Sequence, residues 1–333
     1  MVLLVLAVAL AGCGNTANEA NNEVKTTAGA ATEVAEASET PEASDAADAK
    51  KETTYPLTVK DASGVAVTFT KAPERIVSTS VSETEILYAL GLGEQVVGVS
   101  DYDNFPKEVE SKPKVGGVSE PNAEAILAQS PDLVISGISI KETAFEELSS
   151  LGLVLIRTDP KTLEDVLGNI AMIGQITNKQ VEAETLVAQM REDIRKVTEA
   201  AATVKQEDKK KVYIEFSPGW TVGKGEFMDE MITLAGGINI ASDLEGWNPI
   251  NEEKIIADNP DVIIYPLNIT DDKSGKKLED LIQQRSGWDQ IKAIVDKQMV
   301  GVDKDTLSRP GPRITQALLE LSEGIYPGLV KSE

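Results

Sequence analysis

Hydrophobic residues recur close to the spacing of one helical face between about residues 179 and 204. The positions are Val181, Leu186, Val187, Met190, Ile194 and Val197. Thr177 and Asn178 precede the run as candidate N-caps, and neither Gly nor Pro interrupts it. The pattern predicts one long helix within a linking segment, 177–207. About 26 residues would extend roughly 39 Å, the width of a small domain.

Short apolar runs alternate with amphipathic segments on both sides of this helix. A hairpin is predicted at 57–69, with a turn at 61–64. Further strands are predicted at 75–78, 96–99, 133–135, 154–156, 212–216, 262–265 and 299–302, and helices at 83–90, 122–129, 141–150, 163–175, 226–234, 252–258, 278–284 and 312–324. Strands that alternate with helices pair in parallel. We therefore predict an α/β protein with two lobes, 55–176 and 208–333.

Each predicted lobe contains the same short motif. Segment 122–132 and segment 251–261 both begin with an Asn cap, continue with a Glu and an apolar pair, and end in Pro-Asp before a buried strand. Glu124 and Glu253 occupy equivalent positions, 129 residues apart. Helix capping explains either acid alone, because acids in a first turn offset the positive end of the helix dipole. It does not explain one copy per lobe.

The composition excludes several classes of function. The formal net charge is −23, which argues against binding to nucleic acid or to anionic lipid through a basic patch. The chain has no His, which excludes a Ser-His-Asp triad and a His-ligated metal site. Neither catalytic residues nor a directly bound metal is predicted. A metal that arrives inside its own organic chelate remains compatible.

The N-terminus has the pattern of an exported protein. Residues 1–12 are apolar but shorter than a membrane span, as in the core of a signal peptide, although its usual basic start is missing. Leu10-Ala11-Gly12-Cys13 resembles a bacterial lipobox, so Cys13 is the predicted site of lipid attachment. The alternative is an uncleaved signal with a chance Cys. The polar, acidic segment that follows predicts a disordered tether over 13–54.

Several motifs together resemble one family, the substrate-binding lipoproteins of ABC importers for metal chelates. They are Arg75-Ile76-Val77-Ser78, Gly98-Val99-Ser100-Asp101-Tyr102, Val115-Gly116-Gly117, the two Pro-Asp strand entries and Arg309-Pro310-Gly311-Pro312-Arg313-Ile314. The resemblance covers about 55–330. It implies two Rossmann-like lobes with mostly parallel sheets joined by one backbone helix, as in class III periplasmic binding proteins, and small closure on ligand.

The resemblance also implies partners and a location. An ABC permease and its ATPase are the expected partners, with Glu124 and Glu253 docking on arginines of the permease. The protein would be a monomer, held at the extracellular or periplasmic face of the cell membrane only through its lipid. Its ligand would be a bulky small molecule rather than a resident cofactor.

Candidate ligand residues lie on the loops that follow the predicted strands, where open α/β sheets bind ligands. Aromatic residues make up 4% of the chain, yet five of them fall on these loops, which favours a pocket for a large flat ligand. Each one alone is as well explained as a plug at the base of its loop. The candidates are Ser80, Tyr102, Phe105, Gly117, Trp220, Trp247, Tyr265, Asp305 and Arg309.

The sequence leaves the ligand open, with a corrinoid ahead of a ferric siderophore. Trp247 and Asp305 resemble cleft positions of the cobalamin binders, whereas Val118 and Gly137 replace tryptophans that some of them carry. Anionic siderophores need a basic cradle, and only Arg309 and Lys224 are candidates; Arg309 alternatively pairs with a neighbouring acid. Haem is the further alternative, through Tyr or Met ligation.

The sequence fits two other classes of function, an enzyme and a scaffold protein, less well than a receptor. An enzyme would use paired carboxylates as acid and base, but spacing alone places no two acids together. Segment 222–226 is Gly-rich without the spacing of a phosphate loop, so packing of a strand-to-helix turn is the better explanation. A scaffold or adhesion protein would not need aromatic residues on strand-end loops.

Overall fold

The computed structural model describes residues 51–330. The first part of this range forms the N-terminal lobe. It begins with an antiparallel hairpin in which Leu57 is paired with Phe69, as predicted. Its elements are β1 (Leu57–Lys60), β2 (Ala66–Phe69), β3 (Ile76–Ser78), α1 (Val81–Ala89), β4 (Val96–Val99), α2 (Ala123–Ala128), β5 (Leu133–Ser136), α3 (Glu142–Ser150), β6 (Leu155–Arg157) and α4 (Leu163–Ile176).

The long helix, α5 (Gln180–Ala201), follows directly. The C-terminal lobe comes next. Its elements are β7 (Lys211–Ile214), β8 (Trp220–Val222), α6 (Phe227–Leu234), β9 (Ile238–Asn239), β10 (Trp247–Pro249), α7 (Glu252–Asp258), β11 (Val262–Pro266), α8 (Leu278–Gln283), α9 (Lys292–Val295), β12 (Met299–Val302), α10 (Lys304–Ser308) and α11 (Ile314–Ile325). The predicted helices and strands are confirmed within a few residues. The short elements β8, β9, β10, α9 and α10 were not predicted.

Each lobe is built on a four-stranded parallel sheet. The strand orders are β4-β3-β5-β6 and β9-β7-β11-β12. The two orders are the same when only the strands of each parallel sheet are counted along the chain. One face of each sheet has its own apolar cluster, around Phe145 in the first lobe and around Trp288 in the second. The two-lobe α/β fold predicted from the sequence is confirmed.

The other faces of the two sheets share one continuous core. A single cluster runs from Ile76 through Met190 to Leu318, and therefore through both lobes. Helix α5 packs against α4 on one side and against α11 and α6 on the other. The predicted linking helix is confirmed, and the structure adds that one face of it packs on a core shared by both lobes. Its apolar stripe makes this possible, because Ala183, Met190 and Val197 are buried.

The turn between α4 and α5 differs from the predicted N-cap. Lys179 occupies the N-cap position of α5, and its side chain forms no capping hydrogen bond. Thr177 instead ends α4, and its hydroxyl donates to the Ile173 carbonyl at 2.7 Å. Asn178 has a left-handed backbone, φ 57°, which is common for Asn just beyond a helix C-terminus. Two helices joined by so short a turn leave no extended residue for a side-chain cap.

Small residues allow α4 and α5 to approach closely. A Cβ added at Gly174 would lie 2.5 Å from the Cβ of Ala183, so the crossing needs Gly at this position. Val181 was predicted on the apolar face but is 49% exposed, because it lies at the end of α5 beyond this crossing.

The end of the predicted tether is attached to this same turn. Lys51 forms an ion pair with Glu184 at 2.7 Å, and the Thr53 backbone N–H donates to Asn178 Oδ1 at 2.7 Å. Residues before 55, which were predicted as part of the tether, therefore contact the folded lobes. The predicted signal peptide and Cys13 lie outside the described residues.

Candidate functional site

Two adjoining cavities lie between the lobes, on the side where the strands end. The first, which we call the polar cavity, has a volume of about 610 Å³. The N-terminal lobe contributes Tyr102, Asn104 and segment 117–120, and the C-terminal lobe contributes Lys304, Asp305, Ser308 and Arg309. Both lobes are needed to form its walls, as the predicted interlobe site requires.

The second, which we call the aromatic cavity, has a volume of about 550 Å³. Trp247 packs edge-on against Phe216, with ring centroids 4.6 Å apart, and against Phe227 at 6.1 Å. Ile138, Ser139, Asp159 and Lys161 of the N-terminal lobe close the other side. Ser308 lines both cavities, so they lie side by side between the lobes.

A set of charged and polar side chains, centred on the buried Glu85 and Arg309, connects the lobes beside the polar cavity. We call it the Glu85 bridge; it consists of Glu85 and Asn104 from the N-terminal lobe and Asp305, Arg309 and Arg313 from the C-terminal lobe. Arg309 donates to Glu85 at 2.9 Å and to Asn104 at 2.8 Å, and pairs with Asp305 at 3.0 Å. Arg313 donates twice to Glu85, at 2.8 and 2.7 Å. Asn104 donates to Asp305 at 2.9 Å.

The Glu85 bridge changes the interpretation of two predicted ligand residues. Arg309 is only 8% exposed and Glu85 only 3%, so the charge of Arg309 is compensated within the protein. The alternative prediction, that Arg309 pairs with an acid, is confirmed. Asp305 is likewise held by Asn104 and Arg309. Asp305 and Arg309 line the polar cavity and also form contacts between the lobes. The same side chains therefore serve as cavity wall and as lobe contact.

A second set of contacts joins the lobes beside the aromatic cavity. Lys161 lies 3.3 Å from Glu226 of the C-terminal lobe and 3.3 Å from Asp159. Burial alone would lower the pKa of Lys161, but the two acids together raise it. The first backbone N–H of α4, at Leu163, donates to Glu230 of α6 at 2.6 Å. The cleft is thus bridged at both ends.

The structure brings Tyr102 and Gly117 together in the polar cavity. Tyr102 is 64% exposed, and a Cβ added at Gly117 would touch its ring at 3.9 Å. Ser80 precedes α1 at the floor of the cleft, next to Val81, which lines the polar cavity. Phe105 lies outside both cavities, because its ring packs against the Arg313 guanidinium at 4.1 Å. It therefore supports the Glu85 bridge.

Tyr265 is a correction to the predicted ligand residues. It is only 5% exposed and packs in the outer core of the C-terminal lobe with Tyr213 and Trp288. Burial raises the pKa of Tyr265 to about 12, and the nearby Glu279 adds to the rise. The last residues of β11 are buried on both faces, so this strand continues past the point where a loop was expected.

Trp220 and Trp247 lie on one two-stranded ribbon. Strands β8 and β10 are antiparallel, with Trp220 opposite Pro249 and Val222 opposite Trp247. Residues two apart on a strand share a face, so both Trp side chains belong to the same face. Trp247 lines the aromatic cavity, whereas Trp220 is 44% exposed at the outer end of the ribbon.

A buried ion pair that the sequence did not predict holds the turn before Trp220. Arg285 donates to both carboxylate oxygens of Glu215, at 2.7 and 2.8 Å, and the Gly219 backbone N–H donates to Glu215 at 2.9 Å. Glu215 is fully buried. The available signal was an acid in an otherwise apolar strand, but nothing local indicated its partner 70 residues away.

The two copies of the repeated motif have equivalent structures. Asn122 and Asn251 cap α2 and α7, accepting backbone N–H bonds at 3.0 and 3.1 Å. Glu124 and Glu253 are both exposed and form no ion pair within residues 51–330. Their side chains are therefore free to meet a partner.

The Asp of each motif has a structural role. Asp132 accepts the backbone N–H groups of Glu74 and Arg75, both at 2.9 Å, and Asp261 accepts that of Lys211 at 2.8 Å. The two Asp residues therefore cap the starts of β3 and β7, which are the first strands of the two parallel sheets. Repetition of the Pro-Asp pair follows from the shared sheet topology.

Within residues 51–330, the Gly-rich segment 222–226 and the candidate membrane and metal-binding features were compared with the sequence predictions. The Gly-rich segment packs tightly, since a Cβ at Gly223 would collide with the Leu244 carbonyl, which confirms the packing interpretation. Within the described range, no helix has the length and apolar character of a membrane span. Nor does that range place three or more acid or Cys side chains together as metal ligands.

Comparison with known proteins agrees with this architecture. A family model described as "Periplasmic binding protein" matches residues 76–306. An uncharacterized ABC transporter substrate-binding lipoprotein of Bacillus subtilis, YvrC, is 36% identical over 99% of this chain and 96% of its own length. A cobalamin-binding protein of Halobacterium salinarum is 27% identical over 84% of this chain and 76% of its own.

A solved structure has the same fold. The periplasmic heme-binding protein RhuT of Roseiflexus, in its apo form, is 28% identical, covers 77% of this chain and 99% of its own, and has a TM-score of 0.68. The family and these relatives are solute-binding proteins, which confirms the prediction of a receptor rather than an enzyme. The chain belongs to the periplasmic binding protein family and is the extracytoplasmic substrate-binding protein of an ABC importer.

Proposed function

We propose that this protein captures a metal chelate in the cleft between its lobes and delivers it to an ABC permease. A corrinoid is the favoured ligand, followed by a ferric siderophore. Cys13 carries the lipid anchor, which agrees with the lipoprotein name of the Bacillus relative. Glu124 and Glu253 dock on the permease.

The observation that carries the ligand proposal is the pairing of two unlike cavities in one cleft. The aromatic cavity offers ring edges and faces to a flat apolar macrocycle. The polar cavity offers hydroxyl, amide and backbone groups to the substituents at its edge. A corrinoid has both kinds of surface, and the Halobacterium relative is named for binding cobalamin.

The charges of the cleft favour a corrinoid over an anionic siderophore. Arg309 and Arg313 are compensated by Glu85 and Asp305, and Lys161 is compensated by Asp159 and Glu226. Lys304 is the one cation lining either cavity that forms no ion pair among residues 51–330. Lys224, the other predicted basic candidate, lines neither cavity. A single free cation is a poor cradle for a multiply charged anion.

Quenching of Trp fluorescence tests the ligand class. Cyanocobalamin is titrated into the protein beside a panel of ferric siderophores and haemin, with stoichiometry measured by calorimetry. We expect saturable, stoichiometric quenching by cyanocobalamin, because Trp247 lines the cavity. A response to siderophores alone, or to haemin alone, would replace the corrinoid with that ligand. Haemin remains an alternative because the Roseiflexus relative is named for heme and Tyr102 offers an exposed phenol.

A further inference from the structure

Glu83 is a buried acid directly below the cleft, and none of the contacts described so far involves it. It is 1% exposed. Its Oε1 accepts a hydrogen bond from the Thr158 hydroxyl. Its Oε2 is buried and has no hydrogen-bond partner among the described residues. A buried carboxylate without a cation or a full set of donors is costly, so this group needs a specific explanation.

The unpaired oxygen of Glu83 lies beside Gly137, between segments that line the two cavities. Gly137 shows this placement, because a Cβ there would lie 2.8 Å from Glu83 Oε2 and would collide with the Ser80 hydroxyl. Ser80 is next to Val81 in the polar cavity, and Gly137 is next to Ile138 in the aromatic cavity. The unpaired acid oxygen and the Ser80 hydroxyl therefore approach the same Gly, next to the walls of both cavities.

The surroundings of Glu83 favour its neutral form. Burial raises the pKa of the Glu83 carboxyl, the Ser80 and Thr158 hydroxyls offset part of the rise, and the charge of Asp103 adds to it. Asp103 comes from the loop after β4, Thr158 from the end of β6 and Gly137 from the end of β5. Glu85, two residues along α1, is occupied by Arg309 and Arg313. No cation faces Glu83 from these elements.

We propose that Glu83, as a carboxylic acid, positions the Ser80 hydroxyl as a hydrogen-bond donor to an acceptor group of the ligand. The proposal rests on the cleft being the ligand site. The Glu83 O–H donates to Ser80 Oγ, which leaves the Ser80 proton directed into the cleft. When Glu83 ionises, Ser80 donates to the carboxylate instead and presents only lone pairs to the ligand. Glu83 is thus a positioning residue that acts through Ser80.

The arrangement selects a class of ligand group. Ser80 as a donor recognises an amide carbonyl, carboxylate or phosphate oxygen of the bound molecule, and a corrinoid carries such groups around its ring. Ligand affinity should be complete while Glu83 is protonated and should fall as pH rises through its raised pKa. One neutral hydrogen bond corresponds to roughly a threefold to tenfold change in the dissociation constant.

The test compares the pH dependence of cyanocobalamin binding in four proteins. In the wild type, affinity should fall roughly threefold to tenfold between acidic and alkaline pH. Glu83→Gln should bind almost independently of pH, because its amide donates to Ser80 at every pH. Ser80→Ala should also lose the transition, with lower affinity throughout. Asp103→Asn should keep the transition and move its midpoint to lower pH, because the charge that raises the pKa of Glu83 is gone.

Two outcomes would overturn the proposal. One is a wild-type pH profile in Glu83→Gln; the other is a profile that disappears only in Asp103→Asn. Folding of each variant is checked by its thermal transition, and Ser80→Ala tests the same contact without changing the buried acid.

A second measurement needs no ligand. The infrared spectrum of the free wild-type protein should contain a protonated carboxyl band that is absent from Glu83→Gln and bleaches as pH rises. If cyanocobalamin does not bind at all, the proposed ligand has failed, and the infrared band still decides the state of Glu83. Absence of the band at acidic and neutral pH would overturn the role of Glu83.

Discussion

The N-terminal and C-terminal lobes have the same scaffold but line the cleft with different chemistry. Both have the same strand order, an Asn-capped helix that presents an exposed Glu, and an Asp that caps the first strand. The loops differ. Tyr102, Asn104 and segment 117–120 give the N-terminal lobe a hydrogen-bonding wall, whereas the C-terminal lobe adds to its own polar residues an aromatic wall of Phe216, Phe227 and Trp247.

Shared features and lobe-specific loops therefore have different roles. Features shared by the lobes serve what is symmetric, namely the two sheets and the two proposed docking positions. Features found in one lobe serve what must be asymmetric, namely recognition of a ligand with unlike sides. Variants of shared features should therefore change transport or folding, and variants of lobe-specific loops should change affinity.

The largest effect is expected for the double variant Glu124→Lys and Glu253→Lys. It places a positive charge at both docking positions, where we propose that permease arginines bind, so uptake should fall to background. Ligand affinity should stay unchanged because both side chains are exposed outside the cavities. Uptake by cells and binding by the purified protein are measured in parallel.

The matched control is Glu146→Lys with Glu320→Lys, which makes the same change in charge on one exposed acid per lobe. This control should transport normally. Normal uptake by the docking variant would refute the role of the repeated Glu, and equal loss in both pairs would show an effect of net charge alone.

The next largest effect is expected for Glu85→Gln, which tests the contact between the lobes. Removing the carboxylate leaves two guanidinium groups in a largely buried site, and such a change destabilises proteins by about 3–5 kcal/mol. The free energy of unfolding is measured by equilibrium denaturation with urea. Glu192→Gln is the control, because Glu192 pairs with Arg195 on the exposed side of α5 and its loss should matter far less. Equal effects of the two variants would contradict a structural role for the Glu85 bridge.

The smallest effects are expected within the cleft, and they test the unlike walls directly. Trp247→Ala should weaken cyanocobalamin binding roughly 10-fold to 100-fold, as for a buried aromatic anchor. Tyr102→Ala should weaken it less, because Tyr102 is 64% exposed and contributes at one edge. Affinities are measured by calorimetry, and Trp247→Phe separates loss of the ring from loss of the indole. A larger effect of Tyr102→Ala would show that the polar wall dominates recognition.

Much of the fold was predictable because its signals are local. Apolar periodicity located α5, and strands bounded by turn residues located both sheets. The repeated Asn and Pro-Asp positions were visible because a cap needs a particular residue at a particular place. Strands β8 and β10 were missed because three residues are too few to show an alternating pattern.

The site was less predictable because its residues are arranged by distant partners. Arg309 lies beside Glu85 only after folding, because the two are 224 residues apart in sequence. The sequence therefore left two alternatives for Arg309, a contact to an anionic ligand or an ion pair with an acid. Tyr265 ends the predicted strand at 262–265 and was therefore counted with the strand-end loops, but β11 continues to Pro266 and Tyr265 is buried. Glu83 showed no signal in the sequence, since an acid in the first turn of a helix is ordinary.

The apolar cluster that crosses from one sheet to the other has a consequence for how the receptor is made. Neither half can melt without exposing the packed face of the other, so the described part of the chain should fold and be lost as a single cooperative unit. A partly folded molecule that keeps one intact half should therefore not be populated at equilibrium.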